Sequence, residues 1–297
     1  MPKLSIVILS YNTEEVTKDC LRSLEKVKGE VDFEVVVPDN GSNDQTCTMV
    51  KKEFPWVRLI ENRENLGFAA GNNRARQYCS GQYVLFLNSD TKVPKNTLKI
   101  SLDYIEKNRE IGALSCKVVL PDGSLDKDTR RAFPTPWVAL THLVMRLDRL
   151  FPHSKLFARY WYGYLSDDLT HEVDVIQGAF FLARKKVLDE VGWFDEAYFL
   201  DGEDIDLCWK IKKRGFKIIY YPEVSILHLK GVSKGKGIHS QGINRKLRFK
   251  FKTSGVTSME IFYRKHLWKK YPFFVNILVI LGIRMVKLMR AISVFFK

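Results

Sequence analysis

The residues of this chain best suited to chemistry are carboxylates set at the abrupt ends of apolar runs. Asn88-Ser89-Asp90 follows directly on Tyr83-Val84-Leu85-Phe86-Leu87, so the Asp90 carboxylate is expected in the mouth of a sheet. Mg2+ and Mn2+ take oxygen ligands and share them with substrate phosphates, so one or two protein ligands suffice where a diphosphate supplies the rest. The same triplet is also the composition of a turn or a helix cap. Glu203-Asp204 opens a stretch that reads as a helix to Arg214, stopped by Gly215. At about 100° per residue Asp204 shares a face with Leu207, Cys208 and Ile211, whereas Glu203 falls with Asp206, Lys210 and Arg214 on the expected solvated face. An inward carboxylate in a first helical turn is either a cap or a base held in a cleft. His228, inside Ile226-Leu227-His228-Leu229, is either a core histidine or a nitrogen ligand for an Mn2+-class ion.

These groups need a frame, and the first third of the chain supplies one. Leu4 to Leu9, Phe33 to Val37, Val57 to Ile60 and Tyr83 to Leu87 are apolar runs. Between them lie amphipathic stretches over Glu14 to Val27, Gln45 to Phe54 and Ala69 to Tyr78. This βαβαβαβ order predicts an α/β fold with parallel strands buried on both faces by helices. Ligands of such sheets sit beyond the carboxyl ends of the strands. Those ends carry Ser10-Tyr11-Asn12, Asp39-Asn40-Gly41-Ser42, Glu61-Asn62 and Asn88-Ser89-Asp90. Neither GxGxxG after the first strand nor GxxxxGK[ST] occurs, so dinucleotide and P-loop sites lack their phosphate cradle. Asn65-Leu66-Gly67-Phe68-Ala69-Ala70-Gly71-Asn72-Asn73 offers close backbone approach and helix N–H donors to an anion, or a tight loop with Asn caps. Phe133 to Tyr164 reads as a connection with short helices, Val173 to Ala183 as a strand broken at Gly178, and Phe216 to Tyr221 and Val224 to Leu229 as closing strands around Pro222.

The charge is one-sided. The chain carries a net +14, yet residues 210–297 hold 21 Lys and Arg against only Glu223 and Glu260, so the preceding body is mildly acidic and the basic end is expected to meet a polyanion. Five widely spaced cysteines, Cys20, Cys47, Cys79, Cys116 and Cys208, suggest neither a disulfide framework nor a metal knuckle and point to a reducing cytosol. Met1-Pro2-Lys3 runs into an apolar stretch too short for a secretory leader.

In combination the motifs resemble the family 2 glycosyltransferases of the GT-A fold, especially their rhamnosyltransferase-like branch. The resemblance spans roughly residues 3–232 and rests on five ordered motifs: Ser5 to Asn12, Asp39 to Asp44, Asn65 to Asn73, Leu87 to Asp90, and Gly202 to Trp209. It implies a Rossmann-like mixed sheet flanked by helices in a domain over residues 1–235, followed by a tail over 236–297. It further implies that Asp39 with Ser10, Tyr11 and Asn12 holds the base and ribose of a nucleotide, and that Asn65, Gly71 and Asn72 line the nucleotide cleft with Asn88 and Ser89. Asp90 corresponds to the last carboxylate of the family's DxD motif, Asp204 to the base of its ED motif beside Glu203, and His228 to a downstream metal-ligand position. Asn88 replaces the leading Asp of DxD, which leaves one carboxylate for Mg2+ or Mn2+. Pro38 stands where a β-branched residue is usual and should cost one ladder hydrogen bond.

The implied reaction is transfer of a sugar with inversion, from a nucleotide diphosphate donor, dTDP-rhamnose foremost, to a saccharide or polyprenyl-linked saccharide acceptor. Phe273 to Ile283, followed by Arg284, Lys287 and Arg290 and preceded by Arg264 to Lys270, is short of the about 20 apolar residues of a spanning helix. It suits an in-plane amphipathic helix at a membrane surface, or a helix packed on the protein itself. The expected location is the cytoplasmic face of the cell membrane, without a nucleic-acid partner. The rival is a non-catalytic protein that binds membrane or nucleic acid through its basic end.

Overall fold

A computed structural model describes residues 1–230 and 245–293 of the protein. Its frame is a nine-stranded sheet. Strands β1 (Leu4–Val7), β2 (Phe33–Asp39), β3 (Arg58–Glu61) and β4 (Tyr83–Leu87) alternate with helices α1 (Glu14–Glu25), α2 (Thr46–Glu53) and α3 (Phe68–Asn73). The four strands are parallel in the order β3-β2-β1-β4, as expected, but β3 is the edge strand and is not buried on both faces: Arg58 and Glu61 are exposed and Leu59 and Ile60 only half-buried. Leu4, Ile6 and Ile8 enter one core with Leu21 and Leu24 of α1. Val7, Val84 and Phe86 enter the core on the opposite face. Successive side chains point to opposite faces of a strand, so burial of both kinds places helices on both sides. Pro38 lies one residue from the end of β2, paired with Ile60, and its carbonyl accepts from the Ser10 amide at 2.9 Å.

Beyond β4 the sheet becomes mixed. The chain runs through β5 (Thr91–Lys92), α4 (Thr97–Lys107), β6 (Ile111–Val119), a long connection with the short helices α5 (Pro136–Ala139) and α6 (Leu147–Leu150), then β7 (His171–Glu172) and β8 (Phe180–Arg184). Helices α7 (Lys185–Val191) and α8 (Glu203–Lys213) and strand β9 (Lys217–His228) follow. β8 pairs antiparallel with β4 and β6, whereas β9 pairs parallel with β6 and antiparallel with β5 and β7. The two closing strands expected around Pro222 are one strand with a bulge: Cys116 faces Tyr221 and the next residue, Lys117, faces Ser225. The bulge absorbs the missing proline donor. The strand expected over Val173 to Ala183 survives only as β8 and an isolated bridge from Val175 to Arg131.

The expected division near residue 235 falls outside the described residues. After it come α9 (Arg245–Phe262), a π-type turn (Tyr263–Leu267) and α10 (Phe273–Ile292). Phe262, Tyr263, Leu267 and Ile280 form a third core with Tyr198, against Phe133, Ile205 and Trp209 of the sheet domain. The Tyr263 hydroxyl donates to Asn276 Oδ1 at 2.6 Å, and Asn276 Nδ2 donates to the carbonyls of Trp268 and Tyr271 at 3.1 Å. One face of α10 is thus pinned to the body, while Phe273, Phe274, Leu278 and Leu281 are exposed.

Candidate active site

A cleft of about 1000 Å3 opens along the carboxyl ends of β1, β2 and β4, where a parallel sheet puts its ligands. Ser10, Tyr11, Asn40, Asn65, Gly67, Asn88 and Ser89 line one side. Gly67 has φ +86° and ψ −177°, a region essentially reserved for glycine. A Cβ there would lie 2.3 Å from the Phe199 carbonyl. The side-chain Oδ1 of Asn65 accepts from the Gly67 amide at 2.9 Å, and Asn40 Nδ2 donates to the Gly67 carbonyl at 3.0 Å. Both backbone groups of the buried Gly67 are thus engaged within the loop, and Asn65 and Phe68 line the cleft beside it.

Not every expected ligand residue lies on that wall. Gly71 and Asn72 sit behind it: a Cβ on Gly71 would be 2.6 Å from Leu9 and 2.8 Å from Asn40, and Asn72 Nδ2 donates to the Phe68 carbonyl at 2.9 Å. They shape the cleft by packing. Asp39 is buried and accepts from the Ser10 hydroxyl at 2.8 Å, the Ser42 hydroxyl at 2.6 Å and the Ser42 amide at 2.7 Å. Asn12, at φ +51°, latches the same loops, donating its amide to Ser42 Oγ at 2.7 Å and accepting from the Asn43 amide at 2.8 Å.

Across the cleft, Asp204 is almost buried, and its Oδ2 is held by the Arg131 guanidinium while Oδ1 accepts from the Ile205 amide at 2.8 Å. Burial would lower the Arg131 pKa, but the charge of Asp204 raises it well above its ordinary value. Glu203 is a correction to the sequence reading. It is not on a solvated face but buried on the cleft wall at 6% exposure, and Asp206 of the same face is wholly buried. A single amphipathic period assumes one covered face. Helix α8 is covered twice, by the sheet core through Leu207, Cys208 and Ile211 and by the C-terminal segment through Ile205 and Trp209.

His228 lines the cleft and Asp90, which does not, lies buried against it, Oδ1 to Nε2 at 3.3 Å, because Thr91 of β5 pairs with His228 at the end of β9. His228 Nδ1 lies 3.1 Å from Asp126 Oδ2. Burial alone would lower the His228 pKa, but hydrogen bonds to Asp126 and Asp90 push it up to about 9. Two carboxylates therefore favour positive charge at this point. With Nδ1 fixed on Asp126, Nε2 is turned toward Asp90, and a metal ion there would take the place of the Nε2 proton. Among the described residues no group of three or more His, Cys, Asp or Glu could hold a metal ion. An oxygen and a nitrogen from two residues fit Mg2+ or Mn2+ that completes its shell with diphosphate and water, not an all-protein cage.

Three residues of this site were not singled out from the sequence. Asp126 is buried and accepts from Gln177 Nε2 at 3.1 Å and Lys230 Nζ at 2.5 Å besides His228. Gln177 also donates to the Thr129 hydroxyl at 3.1 Å. Arg131 holds Asp204. The only signal for them is the Asp126-Lys127-Asp128 cluster after a Gly-containing turn, which most surface loops share.

Residues 5–192 match the family model described as Glycosyl transferase family 2. The chain belongs to glycosyltransferase family 2. It is similar to the N-acetylglucosaminyl-diphospho-decaprenol L-rhamnosyltransferase of Mycobacterium tuberculosis, at 28% identity over 244 residues and 78% of each chain. It also resembles rhamnosyltransferase WbbL of Escherichia coli, at 25% identity over 75% of this chain and 82% of that one. Among solved structures, the mannosyltransferase PcManGT of Pyrobaculum calidifontis, in complex with GDP-Man and Mn2+, superposes with a TM-score of 0.56 at 18% identity, covering 100% of this chain and 86% of that one. Such a likeness establishes the fold, GT-A, and this glycosyltransferase transfers sugars as its family does. The family match ends before Glu203, Asp204 and His228, so those three rest on geometry.

Proposed function

We propose that this glycosyltransferase is an inverting enzyme. It moves a sugar, rhamnose from dTDP-rhamnose, to a hydroxyl of a saccharide or polyprenyl-linked saccharide acceptor in polysaccharide synthesis. The observation that carries the reading is the opposition, across one cleft, of Asp204 and of His228 with the buried Asp90 against it. Oδ2 of Asp204 takes the acceptor proton as the acceptor oxygen forms its bond to the anomeric carbon. The bond from that carbon to the diphosphate oxygen breaks, its electron pair leaves with the nucleotide, and one displacement inverts the centre. Glu203, buried beside Asp204 on the cleft wall, is the second catalytic carboxylate of this reading. Asp90 and His228 would hold Mg2+ or Mn2+, which when bound neutralises charge on the diphosphate. Ser10, Tyr11 and Asn65 receive the nucleotide. The donor assignment follows the two rhamnosyltransferase relatives.

A lipid-linked acceptor fits a protein seated on the inner face of the cell membrane. No helix of the described residues is long and apolar enough to cross one. Helix α10 suits the in-plane position, with Leu278 and Leu281 exposed and Arg284, Lys287 and Arg290 along it.

The test is nucleotide release and product stereochemistry with dTDP-rhamnose, UDP-sugars and GDP-sugars in Mn2+, Mg2+ or EDTA. Asp204→Asn should lower kcat by about 100-fold to 10,000-fold while donor binding is retained. A retained anomeric configuration, or transfer undiminished in Asp204→Asn, refutes the mechanism.

A further inference from the structure

The connection between β6 and β8 displays large apolar side chains where a folded surface seldom does. Trp137, Leu143, Val144, Met145, Leu150 and Phe151 are all exposed, Val144 at 73% and Leu150 at 70%. Contiguous exposed apolar residues mark a contact surface. The segment beneath them is firmly built. Val138, Thr141 and Ala158 are buried, His142 stacks on Tyr160 with ring centroids 4.3 Å apart, and its Nδ1 lies 2.9 Å from Asp148. The apolar groups are therefore held outward by a fixed scaffold.

The charge around them selects the occupant. Between residues 137 and 159 stand Arg146, Arg149, Lys155 and Arg159, against one acid, Asp148, already engaged by His142. Aromatic and aliphatic groups among cations suit the anionic interface of a bilayer, where apolar side chains enter the acyl boundary and cations meet phosphates. Position agrees, because His142 and Leu143 line the active-site cleft, and Arg290 of α10 lines the same cleft. The two exposed apolar surfaces thus flank one opening.

We propose that residues 137–156 form a second membrane-contacting element, distinct from α10, that rests on anionic phospholipid and sets the cleft mouth at headgroup level. The inference rests on the lipid-linked acceptor reading and adds the surface that delivers such an acceptor.

The experiment is co-sedimentation of the full chain with phosphatidylcholine vesicles, with and without phosphatidylglycerol, for wild type, Val144→Glu/Leu150→Glu and Leu278→Glu/Leu281→Glu. All four positions are exposed, and circular dichroism checks that the variants fold. The Val144→Glu/Leu150→Glu protein should partition at least about tenfold more weakly into anionic vesicles, with donor hydrolysis in detergent unchanged. Equal binding by this variant and wild type overturns the proposal, whether or not the α10 variant has lost binding. A wild-type dimer in lipid-free solution that becomes monomeric in Val144→Glu/Leu150→Glu also overturns it, making the patch a contact between copies. Donor turnover in detergent, measured in parallel, separates failure of this inference from failure of the enzymatic reading.

Discussion

Asp206 joins the helix that carries Glu203 and Asp204 to the C-terminal segment, and its removal should be measurable as a pH-dependent loss of stability. Its wholly buried carboxylate lies 2.6 Å from His266 Nε2, 2.8 Å from Lys265 Nζ, 3.3 Å from the Tyr198 hydroxyl and 3.4 Å from Lys210 Nζ. Burial alone would raise its pKa, but the hydrogen bonds of His266 and Lys265 and the nearby charges of Lys210 and Lys265 bring it down from 3.8 to about 2. A carboxyl so displaced between unfolded and folded chains contributes about 2 kcal/mol at neutral pH. Asp206→Asn, which keeps the shape and loses the charge, should therefore cost about 2 kcal/mol in urea unfolding at pH 7. Asp206→Ala should cost about 3 kcal/mol, the low end for breaking a buried pair, since Lys265 keeps Asp195 at 2.6 Å and Lys210 keeps the Trp193 carbonyl at 2.6 Å. Because the folded pKa is depressed, the contribution is complete above about pH 4 and disappears as pH falls toward 2. Urea titrations at pH 7, 5, 4 and 3 should show the gap between wild type and Asp206→Asn narrowing only at the acid end. A gap of zero at pH 7 would mean that desolvation cancels the pairing, and a gap independent of pH would place its origin outside this carboxylate.

Gly67→Ala puts a Cβ 2.3 Å from the Phe199 carbonyl at a glycine-only backbone conformation, so unfolding free energy should fall by about 2 kcal/mol or more and calorimetric donor affinity should weaken with it. Asp126→Asn removes the carboxylate that orients His228, and Mn2+ affinity read by electron paramagnetic resonance in the presence of nucleoside diphosphate should drop about 10-fold to 100-fold. Arg131→Met leaves Asp204 nearly buried without its cation and should cost about 3 kcal/mol in urea unfolding, with sugar transfer lost. Arg131→Lys, keeping charge but not the fork, should recover part of the stability.

What the sequence made legible depended on how locally it was encoded. Runs such as Leu4 to Leu9 and Tyr83 to Leu87 announce doubly buried strands by themselves, and the polar residues after them mark the cleft edge because parallel strands all end on one side. Asp204 was readable as an inward group since Leu207, Cys208 and Ile211 share its face within one helix. Glu203 departs from the expected solvated face because α8 is packed on a second side, through Ile205 and Trp209, by a C-terminal segment that comes more than 40 residues later and leaves no trace in the local period. The supporting shell was silent for the same reason: Asp126 finds His228 across 102 residues, Gln177 finds Asp126 across 51, and Arg131 finds Asp204 across 73. Pairings over such separations are fixed by sheet order, which side-chain patterns encode only weakly.

That shell has an internal logic. The short 3-10 turn over Lys127–Thr129 separates Asp126, which holds His228, from Arg131, which holds Asp204. Asp128 stands between them, its carbonyl accepting from Arg131 Nε at 3.1 Å and its carboxylate from Lys230 at 2.9 Å. The two poles of the cleft, the group that would meet the leaving diphosphate and the group that would take the acceptor proton, are thus tied to one turn. Both oxygens of Asp204 are engaged, Oδ2 by Arg131 and Oδ1 by the Ile205 amide. On the proposed mechanism an acceptor hydroxyl approaches Asp204 alongside Arg131 or displaces it. The residue that holds His228 and the residue that holds Asp204 thus lie within six consecutive positions, Asp126 to Arg131. The same connection leads, through Thr135 and α5, to the exposed apolar segment at the cleft mouth.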